Sequence, residues 1–435
     1  MNNGRSRLPR APADMLTRPL ARFMRIEAMS GIALLFSALV ALALANSAWS
    51  PQFLSFWELP LGIKFGDIES FRSLKHWVND ALMTLFFFLI ALELKRGLVL
   101  GELRHPRVAA VSIAAALGGM VVPVGIFLSL VEGPAIHGWG TVMSTDTAFV
   151  IGSLAVLGTR IPHGLRLFLL SLAIFDDIGA VLVVALGYGD MLNVMALVLA
   201  GLGLALVAGL RLLGIRSILV YGMAGCSIWV AFDASGIHAT VTGVILGLMT
   251  PTRSWVSNRR LHAIFDRVTA YPPGDHWNDS KAVRGDLRQA GVAAREALSP
   301  VERLEFVLHP WVALLIMPLF ALANAGVPMA AADFDPKLTI AIFAAFTAGK
   351  PVGVILFSFI AVRLGIGTLP SELPWRLLTA GALLTGIGFT MALFIAELAF
   401  DAALLNSVKL GVLGASVISA VAGFSMLAWQ TSTKS

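Results

Sequence analysis

"LRLFLLSLAIFDDIGAVLVVALGY", residues 165–188, carries no charge apart from Arg166 and two adjacent carboxylates, Asp176 and Asp177. The run is long enough to cross a bilayer, which takes roughly 20 apolar residues. One carboxylate at mid-bilayer depth costs about 2.5–3.5 kcal/mol on insertion scales. A span that holds two of them must turn them toward a protein interior and use them there.

The rest of the chain fits a membrane setting. Of 435 residues, 57% are hydrophobic and 13% charged, against about 25% charged in soluble domains. Mean hydropathy is +0.82. Apolar runs near 28–49, 77–100, 107–131, 137–158, 165–188, 191–213, 215–231, 236–250, 306–327, 338–363, 375–399 and 404–428 predict an all-α polytopic membrane protein of about 12 transmembrane helices. Cys226 is the only cysteine, which excludes an internal disulfide and a cysteine metal cage. The net charge of +6 belongs to basic loops beside a membrane and not to nucleic-acid binding.

Residues 1–27 form a basic N-terminal segment, and Ala43-Leu44-Ala45 imitates a signal-peptide cleavage site. The segment is too long for a signal peptide, and "ARFMRIEAMS" (21–30) reads as an amphipathic lead-in to a retained first span. Orientation follows from lysine and arginine in the loops. Lys95, Arg96, Arg104, Arg107, Arg160, Arg166, Arg211 and Arg216 fall on one side, with the basic connection 251–305. Both termini are therefore expected in the cytoplasm. The loop 50–75 is the exception, with Lys64, Arg72 and Lys75 on the outer side. Within 251–305 a short amphipathic helix is expected near 281–298, in a loop that rests on anionic headgroups.

Residues 28–435 read as one transporter domain. Two triplets of spans, 107–188 and 338–428, each carry a break in the middle span, "STDTAFVIG" (144–152) and "TGIGFTMA" (385–392). Glycines and hydroxyl residues at mid-depth let a helix unwind where it lines a cavity. With 12 spans, one triplet starts inside and the other outside. That predicts two inverted-topology three-helix repeats whose discontinuous helices cross with their half-helix ends facing ions.

Four ionisable residues remain at mid-depth: Asp146 in the first break, Asp176, Asp177 and Lys350. A structural ion pair accounts for one aspartate and the lysine but leaves the second aspartate of the adjacent pair. All four ionised sum to −2, which a dry site tolerates only with protons or a bound cation. Adjacent carboxylates titrate as a coupled pair, and carboxylate and hydroxyl oxygens suit a hard cation. The residues alone point to a cation/proton exchanger. Asp146 is placed to offset positive half-helix N-termini, and Lys350, followed by Pro351, to offset negative ends or pair with Asp176.

At these residues the chain resembles the NhaA-type Na+/H+ antiporters. The resemblance rests on "LIALELKR" (89–96), "TDTAFVIGSLAVLGTR" (145–160), "LAIFDDIGA" (172–180), "HPWVALLIMPLFALANAGV" (309–327), "GKPVG" (349–353) and "GIGFTMALFIAELAF" (386–400). It covers nearly the whole chain, and the family is itself a known inverted-repeat transporter. The resemblance implies electrogenic exchange of cytoplasmic Na+ or Li+ for a larger number of external protons, by alternating access, in a bacterial inner membrane. Asp177 is then the principal ligand of the transported metal ion. Asp176 is a second carrier that leaves Lys350 when the cation binds, and Thr145 and Asp146 support the site. Glu93, Lys95, Arg96, Arg303 and Glu305 match a cluster that sets activation by pH, and His238 matches a histidine linked to pH response. A homodimer is implied through the loop after the first span, where "WELPLGIKFGDIES" (57–70) offers a hairpin. No cofactor and no enzymatic reaction are implied. Gly97, Phe306 and His137 depart from the family's frequent residues, so the pH response transfers less directly than the transport site.

Three rival readings are weaker. Another monovalent cation/proton exchanger shares the same chemistry, and a passive cation channel lacks a use for a titratable pair. "GYGD" (187–190) matches the motif of intramembrane aspartic proteases, but no Tyr-Asp partner occurs in the sequence.

Overall fold

The computed structural model describes residues 23–65, 68–99, 106–157, 161–189, 192–215, 217–269, 281–328, 334–370 and 373–432. All of the basic N-terminal segment up to residue 22, Arg104, Arg160, Asp190 and Arg216 lie outside the described residues. Helix α1 (Phe23–Ala45) leads into a short α2 (Ser50–Trp57) and a hairpin of β1 (Pro60–Phe65) and β2 (Ile68–Ser73). The hairpin is antiparallel, with Pro60 opposite Ser73 and Phe65 opposite Ile68. It occupies the stretch in which a hairpin was expected.

Helix α3 follows as three pieces in series, Leu74–Trp77, a π turn Val78–Leu82 and Met83–Val99. Helix α4 (Pro106–Leu130) precedes a 3-10 segment, Gly133–Met143, and α5 (Thr147–Leu157). Next come α6 (His163–Gly187), α7 (Val194–Leu212), α8 (Ile218–Ser235) and α9 (Val241–Met249). The polar connection forms α10 (Asn258–Thr269) and α11 (Lys281–Ala297), which pack together. The helix expected near 281–298 is thus present and has a partner. Helix α12 runs through Pro300–Trp311, a π turn Val312–Ile316 and Met317–Asn324. Its start is fixed by a capping box in which Ser299 and Glu302 bond each other's backbone N–H. Helix α13 repeats the pattern with Pro336–Ala344, a π turn Ala345–Gly349 and Lys350–Arg363. The chain closes with α14 (Trp375–Leu384), α15 (Phe389–Ala399) and α16 (Ala402–Ser432).

Seven helices among the described residues are long and apolar enough to cross a membrane, or eight when the α14–α15 pair, bent by 46°, counts as one span. The remaining expected spans exist as shorter or interrupted pieces. The first offers 17 apolar residues, Met29–Ala45. The second is in three pieces of which the longest helix holds 17 residues, the fourth is divided by an extended stretch at 144–146, and the eighth holds nine residues of helix. The all-α membrane architecture therefore stands, while length and composition alone do not produce a count of twelve.

The main core joins α1, α3–α6 and α12–α16, and a smaller apolar cluster around Ala200, Val207, Ile228 and Phe232 holds α7 to α8. One contact sets the position of the interior charges. Helices α4 and α13 meet glycine to glycine: a Cβ on Gly353 would lie 2.0 Å from Gly118 O, and one on Gly349 would lie 2.9 Å from Pro123 Cα. Without a strong hydrophobic drive between helices in lipid, small residues give backbones the close approach that binds them. On its other side α4 meets α6, where a Cβ on Gly179 would strike Met120 Sδ at 2.2 Å. Helix α4 is thus the spacer between the helix of Lys350 and the helix of the aspartate pair.

Candidate functional site

Two interruptions lie against each other at the centre of the bundle. The chain is extended at 144–146 between the 3-10 segment and α5, and it turns at 385–388 between α14 and α15. Each leaves helix ends with unsatisfied backbone groups. The two breaks answer one another. Asp146 N donates to Ile387 O at 2.7 Å, and Thr145 Oγ1 donates to Thr385 O at 3.1 Å.

Asp146 serves both sides of the crossing. Its Oδ1 accepts from Phe149 N at 3.0 Å, in the first turn of α5. Its Oδ2 accepts from Thr390 N at 3.0 Å and from Thr390 Oγ1 at 2.5 Å, in the first turn of α15. One fully buried carboxylate thus caps two helix N-termini, where negative charge is favoured by the helix dipoles.

The aspartate pair sits beside this crossing, at the middle of α6. Lys350 follows directly on the π turn of α13 and reaches Asp176 Oδ2 at 2.7 Å and Thr145 Oγ1 at 2.5 Å. π turns recur at functional sites because the extra residue re-aims the side chains beyond it. Asp177 Oδ2 accepts from Thr147 Oγ1 at 2.9 Å. Asp176, Asp177 and Lys350 are all within 2% of complete burial. Asp176 Oδ1 and Asp177 Oδ1 are buried without a well-formed hydrogen bond among the described residues. Buried polar atoms are normally satisfied. Two unsatisfied carboxylate oxygens on consecutive residues are the donor set that a hard cation or a proton completes.

The residues matched to pH response divide between the two ends of the bundle. At the end where α3 finishes and α12 begins, Arg96 Nε pairs with Glu305 Oε2 at 2.8 Å, and Arg303 pairs with Glu296 at 3.2 Å. Lys95 donates to Leu248 O in α9, and Glu93 lies half-buried two residues before it. His238 is at the opposite end, where its Nε2 lies 2.6 Å from Tyr188 O. The Tyr188 hydroxyl donates to His137 O and accepts from Gly140 N, each at 2.9 Å.

Several participants escape a reading of the sequence. Thr147 and Thr390 fall within the two break motifs, but nothing in the sequence gives their partners, which lie 30 and 244 residues away. Lys409 is also buried and lies 2.6 Å from the partly buried Glu397, and Lys75 reaches the same carboxylate at 2.8 Å. They stand near the ends of apolar runs, where a charge is unremarkable in sequence. Asn79 and Asn324, a buried amide pair joining α3 to α12, hide for the same reason.

The family described as "Na+/H+ antiporter 1" matches residues 21–427. A Na(+)/H(+) antiporter NhaA of Rhizobium meliloti is 67% identical over 433 residues, 99% of each chain. NhaA 2 of Acidiphilium cryptum is 56% identical over 97% of this chain and 94% of its own length. NhaA 2 of Vibrio vulnificus is 53% identical over 96% of this chain and 94% of its own. A match over nearly the full length, with the two helix breaks and the aspartate pair inside it, leaves one conclusion: the chain is a multi-pass membrane protein of the Na+/H+ antiporter 1 family.

Proposed function

We propose that the chain exchanges Na+ or Li+ for protons by alternating access, as a secondary active antiporter with no enzymatic step and no cofactor. One observation carries the reading: two adjacent buried carboxylates at crossed helix breaks, each with an unsatisfied oxygen, and one of them tied to a buried lysine. A fixed structural pair would need one aspartate. The second, Asp177, has a hydroxyl on one oxygen and, among the described residues, no hydrogen bond on the other.

The proposed cycle uses these groups in turn. Without a cation, Lys350 holds Asp176 and protons offset the remaining negative charge. A Na+ ion entering at Asp177 displaces protons and draws Asp176 away from Lys350, and Thr145, released from the lysine, supplies a neutral oxygen. Asp146 stays bonded to both helix ends and keeps the breaks together while the ion moves. The entering ion displaces one proton from Asp177, and the buried Lys350 ammonium, left without Asp176, gives up a second, so two protons move per ion and the exchange is electrogenic.

The same reading assigns twelve spans, two inverted repeats at 107–188 and 338–428, a bacterial inner membrane location with both termini in the cytoplasm, and a homodimer joined through the β1–β2 hairpin. On that topology the Arg96–Glu305 end faces the cytoplasm and the His238 end faces out. Glu93, Lys95, Arg96, Arg303 and Glu305 then set the response to internal pH, and His238 senses the outer side.

Everted vesicles with an acidic lumen test the exchange. Adding Na+ or Li+ should release luminal protons, and adding K+ should not. Clamping the membrane potential should change the rate. Undiminished activity in both Asp176→Asn and Asp177→Asn, with normal membrane insertion, would overturn the mechanism. Cation movement with no proton movement would indicate a channel.

A further inference from the structure

Asp177 Oδ2 is held by Thr147, a residue the exchange cycle above leaves without a role. Thr147 is the first residue of α5, next to the extended stretch that carries Thr145 and Asp146. Threonines deeper in helices turn their hydroxyls back to the carbonyl four residues earlier, as Thr84, Thr250, Thr347 and Thr379 do here. A first-turn residue has no such intrahelical carbonyl. The Thr147 hydroxyl instead crosses to α6 and donates to a carboxylate whose other oxygen lacks a partner among the described residues.

A hydroxyl has one proton and two lone pairs. With its proton given to Asp177 Oδ2, Thr147 keeps lone pairs within reach of an ion at the same carboxylate. We infer that Thr147 supplies a neutral oxygen to the transported cation and so sets which size of ion Asp177 accepts. The inference rests on the exchange reading. Among hard cations the larger takes more oxygen ligands, as calcium does beside magnesium. An extra neutral oxygen therefore matters more for Na+ than for the smaller Li+. If the hydroxyl only fixed the carboxylate's rotamer, its loss would affect both ions alike.

The test uses the full chain reconstituted in vesicles as wild type, Thr147→Val, Thr147→Ala and Thr147→Ser, with KM for Na+ and for Li+ at one pH and heat stability in parallel. Valine and alanine should raise the KM for Na+ about tenfold, the effect of losing one bond to a charged group. The KM for Li+ should rise by a smaller factor, and serine should restore the wild-type ratio. A Na+/Li+ ratio of KM values unchanged in valine and alanine overturns the inference, whether both constants stay put or rise together. So does a serine variant that fails to restore the ratio. A wild type that moves no protons on addition of Na+ removes the exchange reading itself, whereas normal wild-type exchange with an unaltered ratio in the variants removes this inference alone.

Discussion

Asp146 caps two helices with one carboxylate, and each oxygen answers a different N-terminus. Losing a cap costs typically about 1 kcal/mol, and a buried N–H left without an acceptor adds about 1–3 kcal/mol. Asp146→Ala should therefore destabilise the purified protein by several kcal/mol, and Asp146→Asn, which keeps one acceptor oxygen, by about half as much; thermal unfolding in detergent reads both. Lys350 poses the opposite problem. Lys350→Met leaves Asp176 buried without its cation, and breaking a buried pair costs about 3–5 kcal/mol. Adding Asp176→Asn to that variant should recover most of the loss, and a double variant no more stable than Lys350→Met would contradict the pairing. Asp146, Asp176, Asp177 and Lys350 are legible in the sequence because a charge at the middle of an apolar run is costly. Thr147 and Thr390 are not, since a hydroxyl in an apolar helix has an inexpensive local alternative and its distant partner leaves no periodicity behind.

Elements hold these residues in register through close backbone approach. Gly353 faces Gly118 with no room for a methyl, since its Cβ would stand 2.0 Å from a backbone oxygen. Gly353→Ala must push α4 from α13 and carry Lys350 away from Asp176, so transport should fall sharply even where the variant inserts normally. An alanine variant with wild-type exchange would mean that the crossing does not position the lysine. Glu397 offers a second test, because it is shared by Lys409 and Lys75 and thereby joins α15, α16 and α3. Glu397→Ala leaves Lys409 buried and unpaired, at about 3–5 kcal/mol, and Lys409→Met added to it should restore much of the heat stability. The helix breaks were readable from "STDTAFVIG" and "TGIGFTMA", where glycine and hydroxyl residues interrupt apolar runs. The three π turns were not, because "VNDAL", "VALLI" and "AFTAG" share no pattern that marks an extra residue in a turn.

At the scale of the whole molecule, two broken helices meet at a charged centre buried inside the bundle. A cation that binds the folded chain and not the unfolded one must stabilise it, by about 2.7 kcal/mol at a hundredfold excess over its dissociation constant. Na+ should raise the unfolding temperature of the wild type and leave that of Asp177→Asn unmoved. Sequence conveyed the membrane class, the two breaks and the four interior charges. Of the twelve apolar runs it picks out, seven or eight are helices long and apolar enough to cross a membrane among the described residues, and the others are shorter or interrupted pieces, which apolar composition alone does not tell apart. The central claim is that Na+ and protons compete for Asp176 and Asp177. Proton release on addition of Na+ to purified protein in weak buffer, followed with a pH indicator, tests it most directly. The account predicts release from the wild type and none from Asp177→Asn; Na+ binding without proton release, or equal release from Asp177→Asn, would contradict it.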